Sequence, residues 1–453
     1  MIDFRNHTLA ARSPFALATG LFALLFLVLT AGSAYAAKPP LPLPNPDRAA
    51  VTPVFGADAS ASAHATCPAM RTAARSGNSA PALMVRSLNS GKVVCSLNAG
   101  APRSLASNTK IFTTVTALGR LGVSSRFRTR IYTQGRIVGG VLKGDLYLRG
   151  GGDPTFGTRS FLDAYLAGVG SDVDRLAAQV RRAGIRRVTG RLYGDDTIFD
   201  RLRGVADSGF ATSPWIGPLS GLSFNSGFTN SSLSRFSSDP GKLATRTLAR
   251  SLRSRGVAIS QTIAMRKTPA ALRKKRPVAV VRSPDMGWMS RVTNLNSNNF
   301  FAEMLLKNIG AAIRSSGRTA SGARIVRDYA RIRLKAKVRP LDGSGLTFGN
   351  SSSAADLIRL LTRVRSRSYF GAFFNSLPVA GRDGTLESRM RGSAAEGRCH
   401  AKTGTLTGVS ALSGYCYNRS GRKFAFSILM NRVFDSNSAR AAQDRIAAII
   451  ARL

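Results

Sequence analysis

Histidine is nearly absent from this chain: 453 residues carry three, His7, His64 and His400. A serine hydrolase built on imidazole needs one of them beside its nucleophile. His7 belongs to an apolar leader, His64 to a Pro/Ala/Ser-rich stretch, and His400 alternates with Lys402 on a predicted strand, which marks it as structural. A Ser-His-Asp triad is therefore set aside. Carboxylates are scarce too: 23 Asp and Glu face 66 Lys and Arg, a formal charge of +43. The basic residues are spread along the chain, with one dense run at Arg273-Lys274-Lys275-Arg276 and neither heptads nor an aromatic RNA-binding signature, so nucleic acid is excluded as a partner. Such a field suits anionic cell-wall or membrane-surface polymers, or is simply arginine on solvated faces; neither reading says what reaction is run. No Cys-x-x-Cys occurs, and His400 is the only histidine near a thiol pair, so a zinc site is not expected. The Gly/Asp clusters in "GVLKGDLYLRGGGDPTF" (140–156) and "RRVTGRLYGDDTIFD" (186–200) read as turns between strands rather than as metal ligands. After residue 36 no segment is long and apolar enough to span a membrane.

What is present begins with an export signal. Arg5 and Arg12 precede the apolar run 15–30, which ends at Ala34-Tyr35-Ala36 with small residues at both recognition positions, so cleavage is expected after Ala36. An uncleaved membrane anchor is the competing reading, but the run is shorter than the roughly 20 residues of a spanning helix. The protein is thus expected in the periplasm or the extracellular cell-wall space, membrane-tethered only if the signal is retained. Four cysteines suit that compartment and leave three pairings open. Cys67 with Cys95 and Cys399 with Cys416 is the favoured set, each pair being close in sequence.

Residues 37–65, with "KPPLPLPNP" and "ADASASAHA", are too poor in large apolar side chains to pack and read as a tether. Two β-like runs, 82–86 and 92–97, flank Asn89-Ser90-Gly91 as a hairpin. Ile111, Val115 and Leu118 then recur at helical spacing up to a stop at Gly122. Residues 128–284 read as an inserted α+β domain that splits a main domain formed by 66–127 and 285–453. Beyond Asn294 come helix-like stretches at 300–309 and 353–364, strand-like runs at 400–406, 410–417 and 423–430, and a closing helix from about Ser438. The fold class expected is α/β in the α+β sense: an antiparallel sheet flanked by helices, with the inserted α+β domain.

With imidazole set aside, attention falls on "SLASNTKIFTT" (104–114), where Ser107 and Lys110 stand three apart at the head of the helical run. Positions i and i+3 share one helix face, so hydroxyl and amine can meet. Lysine ordinarily titrates at about 10.4, so presenting it as a neutral base at pH 7 costs roughly 4–5 kcal/mol unless the site lowers that value. Burial, the helix N-terminus and a second cation would all do so, which asks for another lysine in the pocket. Lys402-Thr403-Gly404 supplies one, on a strand whose glycine would let a substrate backbone approach the edge. Each pattern alone is common here: Ser420-Gly421-Arg422-Lys423 repeats the serine-to-lysine spacing, and Ser-x-Asn recurs at Ser87, Ser96, Ser223 and Ser297. Ser420 lies in a turn-like "NRSGRK", and Ser87 and Ser96 lie in the opening hairpin. Ser297-Asn298-Asn299 stands just before a helix and between the other two elements.

S-x-x-K, S-x-N and K-T-G, in that order, form the trio of serine β-lactamases and penicillin-binding proteins. With "GDLYLRGGGDPT", "DGSGLT" and "LPVAGRDGTL" also in order, residues from about 80 to 450 resemble the D-alanyl-D-alanine carboxypeptidase/endopeptidase family, the type-4, class C low-molecular-mass penicillin-binding proteins. Two departures stand out. The insertion is shorter than in the best-known members and holds one extra domain rather than two, and Asn296 stands where a lysine often precedes the second-motif serine.

The resemblance implies a penicillin-binding-protein/β-lactamase-like fold and an exported serine peptidase of the D-Ala-D-Ala bond in peptidoglycan stem peptides, with cross-link cleavage as a second activity. Ser107 would attack the carbonyl after Lys110 takes its proton, and water would resolve the acyl-enzyme. Lys402 and Ser297 would pass a proton to the leaving D-alanine, Asn299 would hold the substrate amide, and Thr403 with Lys402 would bind the terminal carboxylate beside Gly404. The oxyanion would sit between the backbone N–H groups of Ser107 and Thr405. A Cys399–Cys416 bridge would clamp the strands carrying and facing Lys402. No metal or organic cofactor is called for, and β-lactams would be inhibitors. Two competing readings remain. A serine β-lactamase would share the acylation, but no glutamate-bearing loop of the usual kind is present to activate water. A catalytically inactive wall-binding protein would rely on its charge, and the intact motifs argue against it. Singly, each residue has an ordinary explanation: Ser107 as a helix cap, Lys110 on a solvated face, Ser297 and Asn299 capping the helix at Phe300, Lys402 as strand-edge charge. Order and setting together select the catalytic reading.

Overall fold

The computed structural model describes residues 63–453 apart from 78 and 231, and of 63–65 only the backbone. The expected leader, its cleavage site and nearly all of the expected tether lie outside the described residues. Helix α1 (Ala63–Arg75) opens the described chain, beginning within the last residues of the stretch read as a tether. Its buried face is Met70, Ala73 and Ala74. Strands β1 (Ala80–Ser87) and β2 (Val93–Leu97) follow as the expected antiparallel hairpin, with Gly91 at φ +71 in the turn. Helix α2 (Thr109–Leu121) ends where the sequence puts its stop, at Gly122 with φ +93.

The segment 128–282 carries a second sheet. Its strands are β3 (Arg128–Val138), β4 (Val141–Arg149), β5 (Arg187–Val188), β6 (Leu192–Asp195), β7 (Ala258–Ile259), β8 (Ile263–Met265) and β9 (Ala279–Arg282). They run in the order β7-β5-β4-β3-β9, with β6 bridging β4 and β8. Pairs β3–β4 and β3–β9 are antiparallel and the others parallel. Helices α3 (Val173–Arg182) and α4 (Pro240–Ser254) cover it, and Leu146, Leu148, Leu176, Val180, Leu248 and Leu252 share one buried cluster.

Four longer helices follow, α5 (Met286–Leu295), α6 (Asn299–Arg314), α7 (Thr319–Leu334) and α8 (Ala354–Val364), and then the short helix Phe370–Phe374. Strands β10 (Cys399–Leu406), β11 (Val409–Tyr417) and β12 (Lys423–Asn431) and helix α9 (Ser436–Ile450) close the chain. The main sheet is antiparallel in the order β10-β11-β12-β1-β2, so the last strand pairs with the first and the two ends of the chain share one sheet. Period-two alternation sends Phe426, Ile428 and Met430 towards α1 and α9, and Ala425 and Leu429 towards the other helices. This is the helix-flanked antiparallel sheet the sequence predicts. Cys67 is bonded to Cys95, and Cys399 to Cys416, the latter pair facing each other across β10 and β11.

Helices α5 and α7 were not anticipated. Within α7, Gly322 and five arginines and aspartates among apolar residues weaken the periodic signal, yet the glycine has a packing reason. A Cβ on Gly322 would lie 2.1 Å from the Leu306 carbonyl oxygen, and one on Gly310 would lie 3.0 Å from Gly322 N, so α6 and α7 touch backbone to backbone. Gly322→Ala is expected to force them apart and destabilise the protein by about 1–3 kcal/mol, a cost of overpacking that a denaturant melt of wild type and variant would read.

Candidate active site

Ser107 stands in a single 3-10 turn, Ala106–Asn108, that runs directly into α2. Ala106 before it has φ +44, a left-handed conformation that costs a non-glycine residue on the order of 1–3 kcal/mol and persists only when its surroundings hold it. What holds it is the "DGSG" turn: a Cβ on Gly345, itself at φ +86, would lie 1.9 Å from the Ala106 carbonyl oxygen. Ser107 is left half-buried at the surface of the site, and Lys110, one helical turn on, is wholly buried beneath it.

The Lys110 amine has three neighbours. Its Nζ lies 2.8 Å from Ser107 Oγ, 2.7 Å from Asn299 Oδ1 and 2.8 Å from the Ser344 carbonyl oxygen. Two of these can only accept, so a neutral amine spends both N–H bonds on Asn299 and Ser344 and turns its lone pair towards the serine hydroxyl. Burial lowers the Lys110 pKa to about 7, against the opposing pull of Asp342 and Glu303. The sequence reading gave a second lysine part of that task. The structure assigns the lowering to burial, and it is Lys402 that feels its neighbour: burial first, then the Lys110 charge, holds it well below its ordinary value. Lys402 is fully buried, and its amine donates to the Thr403 carbonyl oxygen at 2.9 Å.

Strand β10 is the edge of the main sheet and lies directly against the nucleophile turn. Asn108 Nδ2 donates to the Lys402 carbonyl oxygen at 3.0 Å. A Cβ on Gly404 would come within 2.9 Å of the Leu105 carbonyl oxygen and 3.1 Å of Ser107 N, so glycine is needed here for the protein's own backbone as much as for a ligand's. Ala401 N bonds outward to the Pro378 carbonyl oxygen, away from β11. Amide directions repeat every second residue along a strand, so Thr403 and Thr405 point their N–H groups to the same outer side as Ala401. The Thr403 hydroxyl reaches Thr385 Oγ1 at 2.7 Å, bringing the "GRDGT" segment to the edge.

Ser297 occupies the joint between α5 and α6 at φ +54, half-buried, with no hydrogen bond to its hydroxyl among the described residues. Asn299 opens α6, and both ends of its amide are engaged: Oδ1 by Lys110, and Nδ2 as donor to the Trp215 carbonyl oxygen at 3.0 Å. His400 is stacked on Phe374, with ring centroids 4.3 Å apart, and burial holds its pKa down to about 4, in keeping with the structural role expected of it.

Two acids escaped the sequence reading as members of the site. Glu303, one turn beyond Asn299 on α6, is fully buried, and its Oε1 accepts from Gly343 N at 2.9 Å and Ser344 N at 2.7 Å. It thereby fixes the turn whose Ser344 carbonyl meets Lys110. Burial and the nearby Asp342 raise the Glu303 pKa to about 8. Asp342 accepts from Gly345 N, Thr347 N and Asn350 Nδ2, and burial pushes its pKa up. The available signal was the i, i+4 relation of Asn299 and Glu303, which puts both on one helix face.

Comparison with known proteins bears on the whole described chain. The family model for the D-Ala-D-Ala carboxypeptidase 3 (S13) family matches residues 69–235 and 221–453. The chain is 30% identical over 440 residues to the D-alanyl-D-alanine carboxypeptidase of Actinomadura sp. (strain R39), covering 80% of this chain and 79% of the relative. It is 28% identical over 382 residues to the carboxypeptidase DacB of Mycolicibacterium smegmatis, covering 78% and 76%. Among solved structures, penicillin binding protein 4 from Haemophilus influenzae superposes with a TM-score of 0.71 at 18% identity over 85% of this chain and 99% of that one, a likeness of fold.

Gly404→Ala is expected to push β10 off the nucleophile turn. The folded variant should lose acylation of Ser107 by about 100-fold or more, as misplacement by 1 Å does elsewhere, while its melting transition stays cooperative; intact mass after penicillin treatment would read the loss.

Proposed function

This chain belongs to the D-Ala-D-Ala carboxypeptidase 3 (S13) family, and on that premise we propose how its residues divide the reaction. The protein is a serine-type DD-peptidase of peptidoglycan stem peptides, and β-lactams inhibit it. The observation that carries the mechanism is the hydrogen bonding of Lys110, whose two acceptor-only partners leave a lone pair for Ser107. Lys110 takes the serine proton as Oγ bonds to the D-alanyl carbonyl carbon. The ammonium so formed is favoured by the fields of Asp342 and Glu303. The carbonyl oxygen, now an anion, is received by the N–H groups of Ser107 and Thr405, each such donor being worth roughly 3–4 kcal/mol in comparable hydrolases.

Collapse of the intermediate expels D-alanine, which needs a proton. The proton that Lys110 took from Ser107 passes through the Ser297 hydroxyl and Lys402 to the leaving nitrogen, which returns Lys110 to the neutral amine; a lysine of depressed pKa hands a proton on readily, and Thr403 holds the substrate carboxylate beside it. Water then attacks the acyl-enzyme, with Lys110 again as base. Release of terminal D-alanine is the principal reaction in this reading, and the same attack on a cross-link gives the endopeptidase activity. The segment 128–284 is an inserted domain that contributes the Trp215 carbonyl to the site, and the leader is cleaved after Ala36, leaving the enzyme outside the cytoplasm.

Incubating the protein with a fluorescent penicillin should give a covalent adduct on wild type and none on Ser107→Ala. Intact penicillin with no adduct from folded wild type would sink the Ser107–Lys110 mechanism, and rapid turnover of penicillin would favour the β-lactamase reading.

The pH dependence follows from the sign of the Lys110 shift. The base must be neutral, so kcat/KM should rise with pH through an acid limb near 7 and fall away below it as the ammonium forms. The Glu303 carboxylate raises the Lys110 pKa, so Glu303→Gln, which still offers Gly343 and Ser344 an acceptor, should shift the limb to lower pH, whereas Glu303→Ala, which frees both N–H groups, should cut kcat about tenfold or more.

A further inference from the structure

A concavity of about 510 Å³ lies away from the catalytic edge, lined by Arg86, Lys335, Arg359, Arg363 and Thr362. Arg86 is on β1, three strands from β10 across the sheet, so at roughly 4.8 Å per strand the two places are on the order of 14 Å apart. Lys335 caps the C-terminal end of α7 at φ +54, and Arg359 and Arg363 are successive turns of α8. No carboxylate lines the space. The nearest compensation is Asp356, 2.6 Å from one Arg359 nitrogen. Arg86 Nε donates to the Gly91 carbonyl oxygen, while the Arg363 guanidinium and the Lys335 ammonium have no hydrogen-bond or ion-pair partner among the described residues. The Thr362 hydroxyl oxygen is buried without a partner among the described residues. Nearby arginines differ in that respect: Arg365 and Arg367 donate to the carbonyl oxygens of Leu88 and Arg333.

We propose that this concavity is a binding site for a phosphate-bearing polymer outside the cytoplasm. Four cations converging on one space repel one another until an anion enters, and guanidinium forks match phosphate oxygens two at a time. The volume takes more than one phosphate group, which suits a chain molecule rather than a single ion. A bilayer surface is the less fitting source. The exposed neighbours are Arg331 and Arg333 on α7 and Lys337 just beyond it, with Ile332 the one large exposed apolar side chain of that helix, too little to enter a membrane. The site is independent of the peptidase reading: it would hold the protein at the wall without touching Ser107.

The test uses the mature protein, a variant carrying Arg359→Gln, Arg363→Gln and Lys335→Gln, and a control in which the exposed run 273–276 is changed to Gln at all four positions. Binding of linear inorganic polyphosphate is titrated at low and at physiological salt, alongside release of D-alanine from a soluble stem peptide. The expected result is at least a tenfold loss of affinity in the site variant, within twofold of wild type in the control, and unchanged D-alanine release in both. Equal losses in the two variants would assign the binding to the diffuse charge of the chain and overturn the proposal, as would full binding by the site variant. Site-dependent binding to phosphatidylglycerol vesicles with none to polyphosphate would overturn the choice of ligand. Loss of D-alanine release in wild type would instead count against the peptidase reading alone.

Discussion

Lys110 Nζ is cut off from water with two fixed acceptors already in place, and an amine so held must either discard its proton or find a third acceptor. Ser107 Oγ is that third position. The rest of the site can be read as the means of keeping this arrangement. Asn299 brings one acceptor from α6 and Ser344 the other from the "DGSG" turn, which Glu303 pins from below through two backbone N–H groups. Ala106 and Ser297 accept left-handed backbone conformations on either side, and Gly345 fits where a side chain would collide with the nucleophile turn. Strain and close approach gather here because the groups must converge on one amine from three separate parts of the chain.

Helix α6 joins this site to the second sheet. Asn299 faces Lys110 at its first turn. Further along, the wholly buried Lys307 pairs with Asp200 and donates to the Leu202 carbonyl oxygen at 3.1 Å. Asn308 donates to the Gly152 carbonyl oxygen at 2.7 Å, and a Cβ on Gly152 would collide with that same amide. The glycine-rich "RGGGD" run thus has a packing purpose against α6, in addition to turning the chain. Because the Trp215 carbonyl takes the free end of the Asn299 amide, the orientation of a residue bonded to Lys110 depends on a loop of the segment 128–282, which is thereby structurally part of the site.

The disulfides and the charge act elsewhere. Cys399–Cys416 ties the start of β10 to the end of β11, three residues from Lys402, and steadies the strand that must lie against Ser107. The basic surface has its own geography: on β1, α7 and α8 cations gather with little acid among them, three strands along the sheet from the edge that carries Lys402.

The sequence by itself determined which residues are candidates and in what order: a nearly histidine-free chain, Ser107 and Lys110 on one helix face, Ser297-Asn298-Asn299 before a helix, and Lys402-Thr403-Gly404 on a strand. It also determined the hairpin, the closing strands and the stop at Gly122, because those rest on local periodicity and turn chemistry. Helix α7 was lost to it, since Gly322 and the charges break the pattern that only contact with α6 explains. The pKa of Lys110 was legible only in part: burial is one of three causes the sequence suggests, and packing decides that it is the one that does the lowering. Glu303 and Asp342 looked like ordinary acids in a helix and a turn until tertiary structure buried them under the base. Only the fold brings Asn299 and Ser344 onto the Lys110 amine and Gly404 against the Ser107 backbone, because convergence from distant parts of a chain leaves no local trace in the order of its residues.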